Sequence, residues 1–224
     1  MAQETTVHLL QENEISRLNA LYQYEILDTP AEAGFDNIAM LAAAIFGSQN
    51  AHICFVDENH VFYKANPASS YARTSPRENN LDAWSIHHQD ITIFNEERKF
   101  AKEIGFFIAS PLINEEGFVL GTLAVSDTKP HTGVTAQQLN MLRMLTSLVI
   151  DKLETRLAEK RMAVTYNERL RTLAHDIKNP VTSISLYAQL LSSKEMNKDK
   201  VFSMAERIEN SNKRIEEKLN NLFI

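Results

Sequence analysis

Of the seven histidines in this 224-residue chain, His175 has the neighbours best suited to chemistry: Leu173-Ala174-His175-Asp176-Ile177-Lys178-Asn179-Pro180. A neutral imidazole nitrogen is a competent nucleophile near pH 7, and Asp176 beside it can hold the other ring nitrogen as N–H, favouring the attacking tautomer. A phosphoryl group taken up by imidazole leaves readily, so it can move on to a carboxylate. Asn179 lies four residues further, on the same helical face, where its amide can position water or phosphoryl oxygens. Pro180 removes the hydrogen bond to the Asp176 carbonyl and is expected to bend the helix beside the reactive group. An acidic neighbour, then Asn or Thr at four and Pro at five, follows a histidine by chance on the order of once in a few hundred such chains. The combination, rather than the histidine alone, carries the reading.

The elements around this motif are read from apolar periodicity. Leu170, Ile177, Ile184 and Leu191 recur every seven residues, with Ala174, Val181 and Ala188 as a second row. His175 falls one step off that seam, so its imidazole is predicted to face solvent. Residues 192–199 interrupt the pattern, and a second set follows: Val201, Ile208, Ile215 and Leu222, accompanied by Ala205, Asn212 and Leu219. Two such helices joined by a polar turn form a hairpin, and one apolar seam each requires a second hairpin to complete a four-helix bundle.

Upstream, a helical pattern starts at Thr135 and runs through Leu139, Leu142, Leu145, Val149, Leu153 and Leu157. A helix this long is expected to leave its globule and pair with a partner helix, again implying a dimer. Ile150, Leu157 and Val164 are seven apart, but the step from Val164 to Leu170 is six. Such a phase break alters supercoil locally and suggests a signalling hinge. The alternative is that residues 159–169 are simply a polar coiled-coil stretch.

From about Asn167 to the chain end, these residues resemble the dimerisation and histidine phosphotransfer domain of two-component sensor histidine kinases. In that family the histidine is followed by an acidic residue, two positions later by a basic one, then by Asn or Thr and Pro, as in His175, Asp176, Lys178, Asn179 and Pro180. The second helix, with Ile208, Ser211, Arg214, Ile215 and Leu219, is similar to the family's partner helix. The resemblance implies that His175 is the phosphoacceptor, that Asp176 orients or activates it, and that the donor is ATP with Mg²⁺. It also implies a receiver-domain aspartate of a response regulator as the next acceptor. The acid-x-x-Asn pattern admits a phosphatase role for Asn179.

In the N-terminal half, Ile15, Leu18, Leu21, Tyr22 and Ile26 predict a helix stopped by Asp28-Thr29-Pro30. Phe35, Ile38, Ala39, Leu41, Ala42 and Ile45 predict a second, ended by Gly47. Strands are expected over 51–56 and 61–63 around the turn Asp57-Glu58-Asn59-His60, and over 106–113 and 118–126 around Asn114-Glu115-Glu116-Gly117, with a short strand at 90–94. Residues 67–80 are expected to be irregular. This is an α+β domain. Tyr24-Glu25-Ile26-Leu27-Asp28-Thr29-Pro30, Phe35-Asp36-Asn37-Ile38, Phe55-Val56-Asp57-Glu58, Thr74-Ser75-Pro76-Arg77-Glu78, and Ala109-Ser110-Pro111-Leu112 through Gly121-Thr122-Leu123-Ala124-Val125 resemble GAF sensory domains, in order and spacing.

GAF domains as a class bind cyclic nucleotides, tetrapyrroles or haem, or bind nothing and act as dimer modules, and no ligand is legible here. Cys54, between Ile53, Phe55 and Val56 on a strand, reads as packing rather than chromophore attachment. His87, His88 and Asp90 do not read as a metal site, because adjacent histidines diverge. Trp84 and Phe62 read as core rather than pocket lining.

The expected architecture is a flexible tail over residues 1–14, a GAF domain over 15–150 with an antiparallel sheet flanked by helices, a coiled-coil signalling helix over 151–166, and an all-α hairpin over 167–224, forming a four-helix bundle in a parallel homodimer. A formal net charge of −6 argues against a general nucleic-acid or anionic-membrane binder. No stretch approaches the ~20 apolar residues of a membrane span, and with a single cysteine a cytoplasmic location is expected. The chain stops at Ile224, where the resemblance places an ATP-binding domain, so autophosphorylation is not expected without that partner. Two alternatives remain: a non-catalytic phosphotransfer or dimerisation protein, and a ligand-binding GAF module whose hairpin only dimerises.

Overall fold

The computed structural model describes residues 2–68, 73–95, 104–193 and 197–220, with side chains from residue 13 onward except Ser193. Its elements are α1 (Ala2–Gln23), α2 (Ala33–Phe46), β1 (Asn50–Val56), β2 (His60–Ala65), β3 (Thr74–Pro76), α3 (Leu81–Ser85), β4 (Thr92–Phe94), β5 (Phe106–Ile113), β6 (Val119–Asp127), α4 (Ala136–Ser193) and α5 (Lys198–Asn220). Two compact units divide the chain, Met1–Leu157 and Ala158–Ile224.

In the first unit six antiparallel strands form one sheet in the order β3-β2-β1-β6-β5-β4. Alternation along the strands sends Ala51, Ile53 and Phe55 of β1, Leu123 and Val125 of β6, and Phe106 and Ile108 of β5 to one face. There they meet Leu21 of α1, Phe35 and Ala39 of α2, and Leu142, Val149 and Leu153 of α4. Cys54 and Val56 take the other face, where α3 supplies Ala83. Phe107, Ala109 and Ala124 share that face with Leu81. Both faces are covered, so β5 and β6 read as continuous apolar runs rather than alternating ones. Gly121 lets β6 approach β1 closely, since a Cβ there would run into the Cys54 carbonyl.

Local signals explain most boundaries. Gly47, at φ 62°, caps α2 in the left-handed conformation. Thr135 and Gln138 form a reciprocal capping box at the start of α4: the Thr135 hydroxyl accepts from the Gln138 N–H at 3.2 Å, and the Gln138 amide oxygen accepts from the Thr135 N–H at 3.0 Å. α1 differs from expectation at both ends. It starts at Ala2, within the stretch expected to be a tail, because residues 2–14 hold no Gly or Pro to break it. It stops at Gln23 rather than Ile26, since Glu25 and Asp28 adopt φ of 46° and 55°. The stretch expected to be irregular contains β3, and α3 follows it. Three residues ending in an edge proline and a single helical turn carry no periodicity to read.

A polar bridge ties the loop after α1 to β2 and α4. The fully buried Lys64 ammonium donates to Thr29 Oγ1 at 2.7 Å, the Pro30 carbonyl at 2.7 Å and Glu32 Oε1 at 2.6 Å. Arg156 donates to the same Glu32 oxygen at 2.9 Å and to the carbonyls of Tyr24 and Glu25. Burial works to raise the Glu32 pKa, and its hydrogen bonds to Lys64 and Arg156 outweigh it, leaving the carboxyl below its ordinary value.

In the second unit the remainder of α4 and α5 form an antiparallel hairpin. Arg207 of α5 donates to the Tyr187 hydroxyl of α4 at 3.2 Å, and Lys218 donates to Asp176 at 2.7 Å. Eleven positions separate Asp176 from Tyr187 and eleven separate Arg207 from Lys218, the equal and opposite steps that antiparallel helices require. Asn197 starts α5, its side-chain oxygen accepting from the N–H groups of Asp199 and Lys200. Leu222, the last member of the second apolar row, lies outside the described residues.

Candidate functional site

α4 runs unbroken through the motif, so successive residues fan around the helix and only part of the set can meet the partner helix. Asp176 and Ile177 are half-buried toward α5, whereas Lys178 and Asn179 are exposed. The His175 side chain is 72% exposed, open to a large reaction partner. Its Nδ1 stands 3.6 Å from Asp176 Oδ1, beyond hydrogen-bond range but close enough for electrostatic contact. That arrangement leaves Nε2 as the ring nitrogen not facing the carboxylate.

The other Asp176 oxygen, Oδ2, accepts from Lys218 Nζ. The Lys218 hydrogen bond and charge, with a smaller contribution from His175, hold the Asp176 carboxyl below its usual range, so it is an ionised acceptor near neutral pH. Nothing in the sequence singles out Lys218. It lies 42 positions from Asp176, and only the hairpin register brings the two together.

Pro180 sits inside α4 and leaves the Asp176 carbonyl without its helical donor. In the next turn the Thr182 and Ser183 hydroxyls donate back to the carbonyls of Lys178 and Asn179 at 2.8 and 3.1 Å. The exposed Asn179 amide is one helical turn from the imidazole.

Among the described residues after Leu157, none is buried. The seam positions Leu170, Val181, Val201 and Leu219 are all exposed in the single chain. Ile177, Ile184, Leu191, Ile208 and Ile215 of the same rows are half-buried, so among the described residues the apolar stripe on each helix is covered only in part.

In the first unit the residues considered for ligand binding scatter. His87, His88 and Asp90 are exposed and do not converge: His88 lies against the Trp84 ring at 4.3 Å between centroids, and Asp90 pairs with Arg143 at 3.1 Å. Phe62 is buried, but Trp84 is 41% exposed, because α3 turns its ring toward His88 and Phe94 at the rim. The Cys54 thiol is fully buried, which pushes its pKa well up. A cavity of ≈ 370 Å³ lies beside Glu14, Arg17, Arg77 and His87. Its cationic groups are already engaged, since Glu14 accepts from Arg17 at 2.8 Å and from Arg77 at 2.7 Å.

The chain matches two family models: the GAF domain over residues 30–150, and the His Kinase A (phospho-acceptor) domain over residues 166–223. A cyclic di-GMP phosphodiesterase from Pseudomonas aeruginosa is 26% identical over 155 residues. The match covers 64% of this chain and 26% of that protein, about a quarter of its length. Among solved structures, the GAF-B domain of DevS from Mycobacterium smegmatis is similar at 16% identity and a TM-score of 0.48, covering 58% of this chain and 97% of that one. A GAF domain from a Pseudomonas syringae pv. tomato protein assigned as a sensor histidine kinase is similar at 17% identity and a TM-score of 0.47, covering 70% of this chain and 99% of that one.

Proposed function

We propose that this chain, which belongs to the GAF domain family and carries a His Kinase A domain after it, accepts a phosphoryl group from ATP on His175 and passes it to an aspartate of a response regulator receiver domain. The observation that carries this reading is the placement of His175: solvent-exposed, beside an ionised carboxylate, within the segment that matches a phospho-acceptor domain.

In the first step the Nε2 lone pair attacks the γ-phosphorus of ATP, the bond to the β–γ bridging oxygen breaks, and ADP leaves. Asp176 stabilises the N–H at Nδ1 as positive charge develops on the ring. In the second step a receiver carboxylate attacks the same phosphorus, and the phosphorus–nitrogen bond breaks to return the imidazole. Mg²⁺ and the ATP site belong to an ATP-binding domain of the same kinase, because the chemistry depends on metal and positioned charge. Asn179 is suited to position water on a phosphorylated receiver, which would make it a phosphatase residue.

The exposed seam positions Leu170, Val181, Val201 and Leu219 support a parallel homodimer whose two hairpins close a four-helix bundle. The six-residue step from Val164 to Leu170, in a stretch where every residue from Arg161 to Leu170 is exposed, supports a signalling hinge. A cytoplasmic location is part of the proposal; among the described residues no helix is long and apolar enough to cross a membrane.

The test supplies a detached histidine-kinase ATP-binding domain and Mg-ATP to the purified chain. An acid-labile, alkali-stable label is expected on His175 and absent from His175→Gln. A folded, dimeric chain that stays unlabelled overturns the proposal.

A further inference from the structure

On the sheet face covered by α3, three metal-ligating side chains converge from separate stretches of the chain. His52 and Cys54 are two residues apart on β1 and so share a face, while Asp82 enters from the first turn of α3. Asn80 caps that turn, its side-chain oxygen accepting from the Asp82 and Ala83 N–H groups. His52 Nε2 stands 3.0 and 2.9 Å from the two Asp82 carboxylate oxygens. One ligand atom each from His52, Cys54 and Asp82 can be chosen so that all lie within 4.8 Å of one another. Thr122 of β6 donates to Asp82 Oδ1 at 2.6 Å and sits 3.3 Å from Cys54 Sγ. A register shift between Ile53 and Cys54 falls in this stretch of β1, and such bulges re-aim side chains.

An imidazole nitrogen, a thiolate and a carboxylate suit a borderline-soft dication, whereas Mg²⁺ and Ca²⁺ take oxygen shells. Bonds of about 2.0–2.3 Å to a tetrahedral ion place these ligand atoms roughly 3.3–3.6 Å apart, so no pair within the 4.8 Å cluster has to close by more than about 1.5 Å. Cys54 and Asp82 are buried, and the His52 side chain, 12% exposed, leaves an edge toward solvent.

We propose that His52, Cys54 and Asp82 form a three-ligand site for Zn²⁺ or a cation of its class, with the fourth position open toward the His52 edge. Three coordinate bonds form: the Cys54 thiol gives its proton to solvent, the Asp82 carboxylate binds as it stands, and His52 binds through Nε2 as the neutral tautomer with its N–H at Nδ1. Three protein ligands with an open fourth position suit an exchangeable ion, and its binding would fasten α3 to β1. The site is independent of the phosphoacceptor reading.

The chain holds one cysteine, so any thiolate-to-metal absorption reports Cys54 alone. Adding Co²⁺ to the chelator-treated 224-residue chain is expected to produce a near-ultraviolet thiolate-to-cobalt charge-transfer band and intense tetrahedral d–d absorption. Both should saturate at one equivalent and disappear when Zn²⁺ is added. A weak octahedral spectrum without the charge-transfer band overturns the proposal. Cys54→Ser is expected to lose the band, and His52→Gln to weaken Zn²⁺ binding at least tenfold. Should either variant fail to fold, the spectrum of the unaltered chain still decides. A hundredfold excess of Zn²⁺ over its Kd is expected to raise the melting midpoint of the unit containing the site by roughly 5–10 °C.

Discussion

Up to Leu157 the chain buries Phe35, Phe55, Phe62, Phe106 and Phe107 to 2% exposure or less, while from Ala158 onward no described residue is buried. Both regions are well supplied with apolar residues, but they are distributed differently. The first has two sheet faces and covers both with its own helices. The second has two helices with one stripe each, and a pair of helices cannot enclose two stripes. His175 thus lies in the unit without a buried described residue, and the GAF domain lies in the unit with a continuous core.

That contrast is most directly broken in the core. Phe55→Ala is expected to destabilise the first unit by about 3–5 kcal/mol, with a urea midpoint independent of protein concentration. A midpoint that rose with concentration would mean that the first unit also depends on a partner. The counterpart is Ile184→Asn on the hairpin seam. It is expected to weaken dimerisation roughly a hundredfold in sedimentation measurements while the first unit melts as before. A hairpin that stayed helical and monomeric at low concentration would remove the distinction.

Arg156→Ala is a finer test, because it cuts the tie between α4 and Glu32 without opening the core. A loss of about 1–3 kcal/mol is expected from calorimetry of the first unit, with little change in hairpin association. Acid sharpens the same point. Burial acts to raise the Glu14 pKa, but hydrogen bonds from Arg17 and Arg77 outweigh it and bring the carboxyl down to about 2. Its stabilisation is therefore fully present above the unfolded value of 4.5 and is lost as pH falls toward about 2. Glu14→Gln should flatten that part of the pH–stability curve for the first unit. The smallest effect is expected from Lys218→Ala. Lys218 is exposed and Asp176 only half-buried, so solvent screens the pair and stability should not change measurably, while NMR titration should show the Asp176 carboxyl rising toward its ordinary value.

The two regions are also unequally legible. Heptads at Leu170, Ile177, Ile184 and Leu191 announce a hairpin because a helix repeats locally. The turns at Asp57-Glu58-Asn59-His60 and Asn114-Glu115-Glu116-Gly117 announce two strand pairs for the same reason: the residues that meet are near in sequence. Asp82 meets His52 and Thr122 across gaps of 30 and 40 residues, through a one-turn helix with no period of its own. Lys218 meets Asp176 across 42. Cys54 reads as packing from its neighbours, and nothing in its strand reveals which residues arrive from elsewhere.

Glu32 has two cations and one charge. Lys64, on β2, has no solvent to fall back on, and Arg156, on α4, shares the oxygen that Lys64 uses. The carboxylate is thus a common electrode between a strand and a helix. If β2 withdrew Lys64, Arg156 would inherit the whole counter-charge, and a shift of a strand would be registered as a tighter hold on the helix.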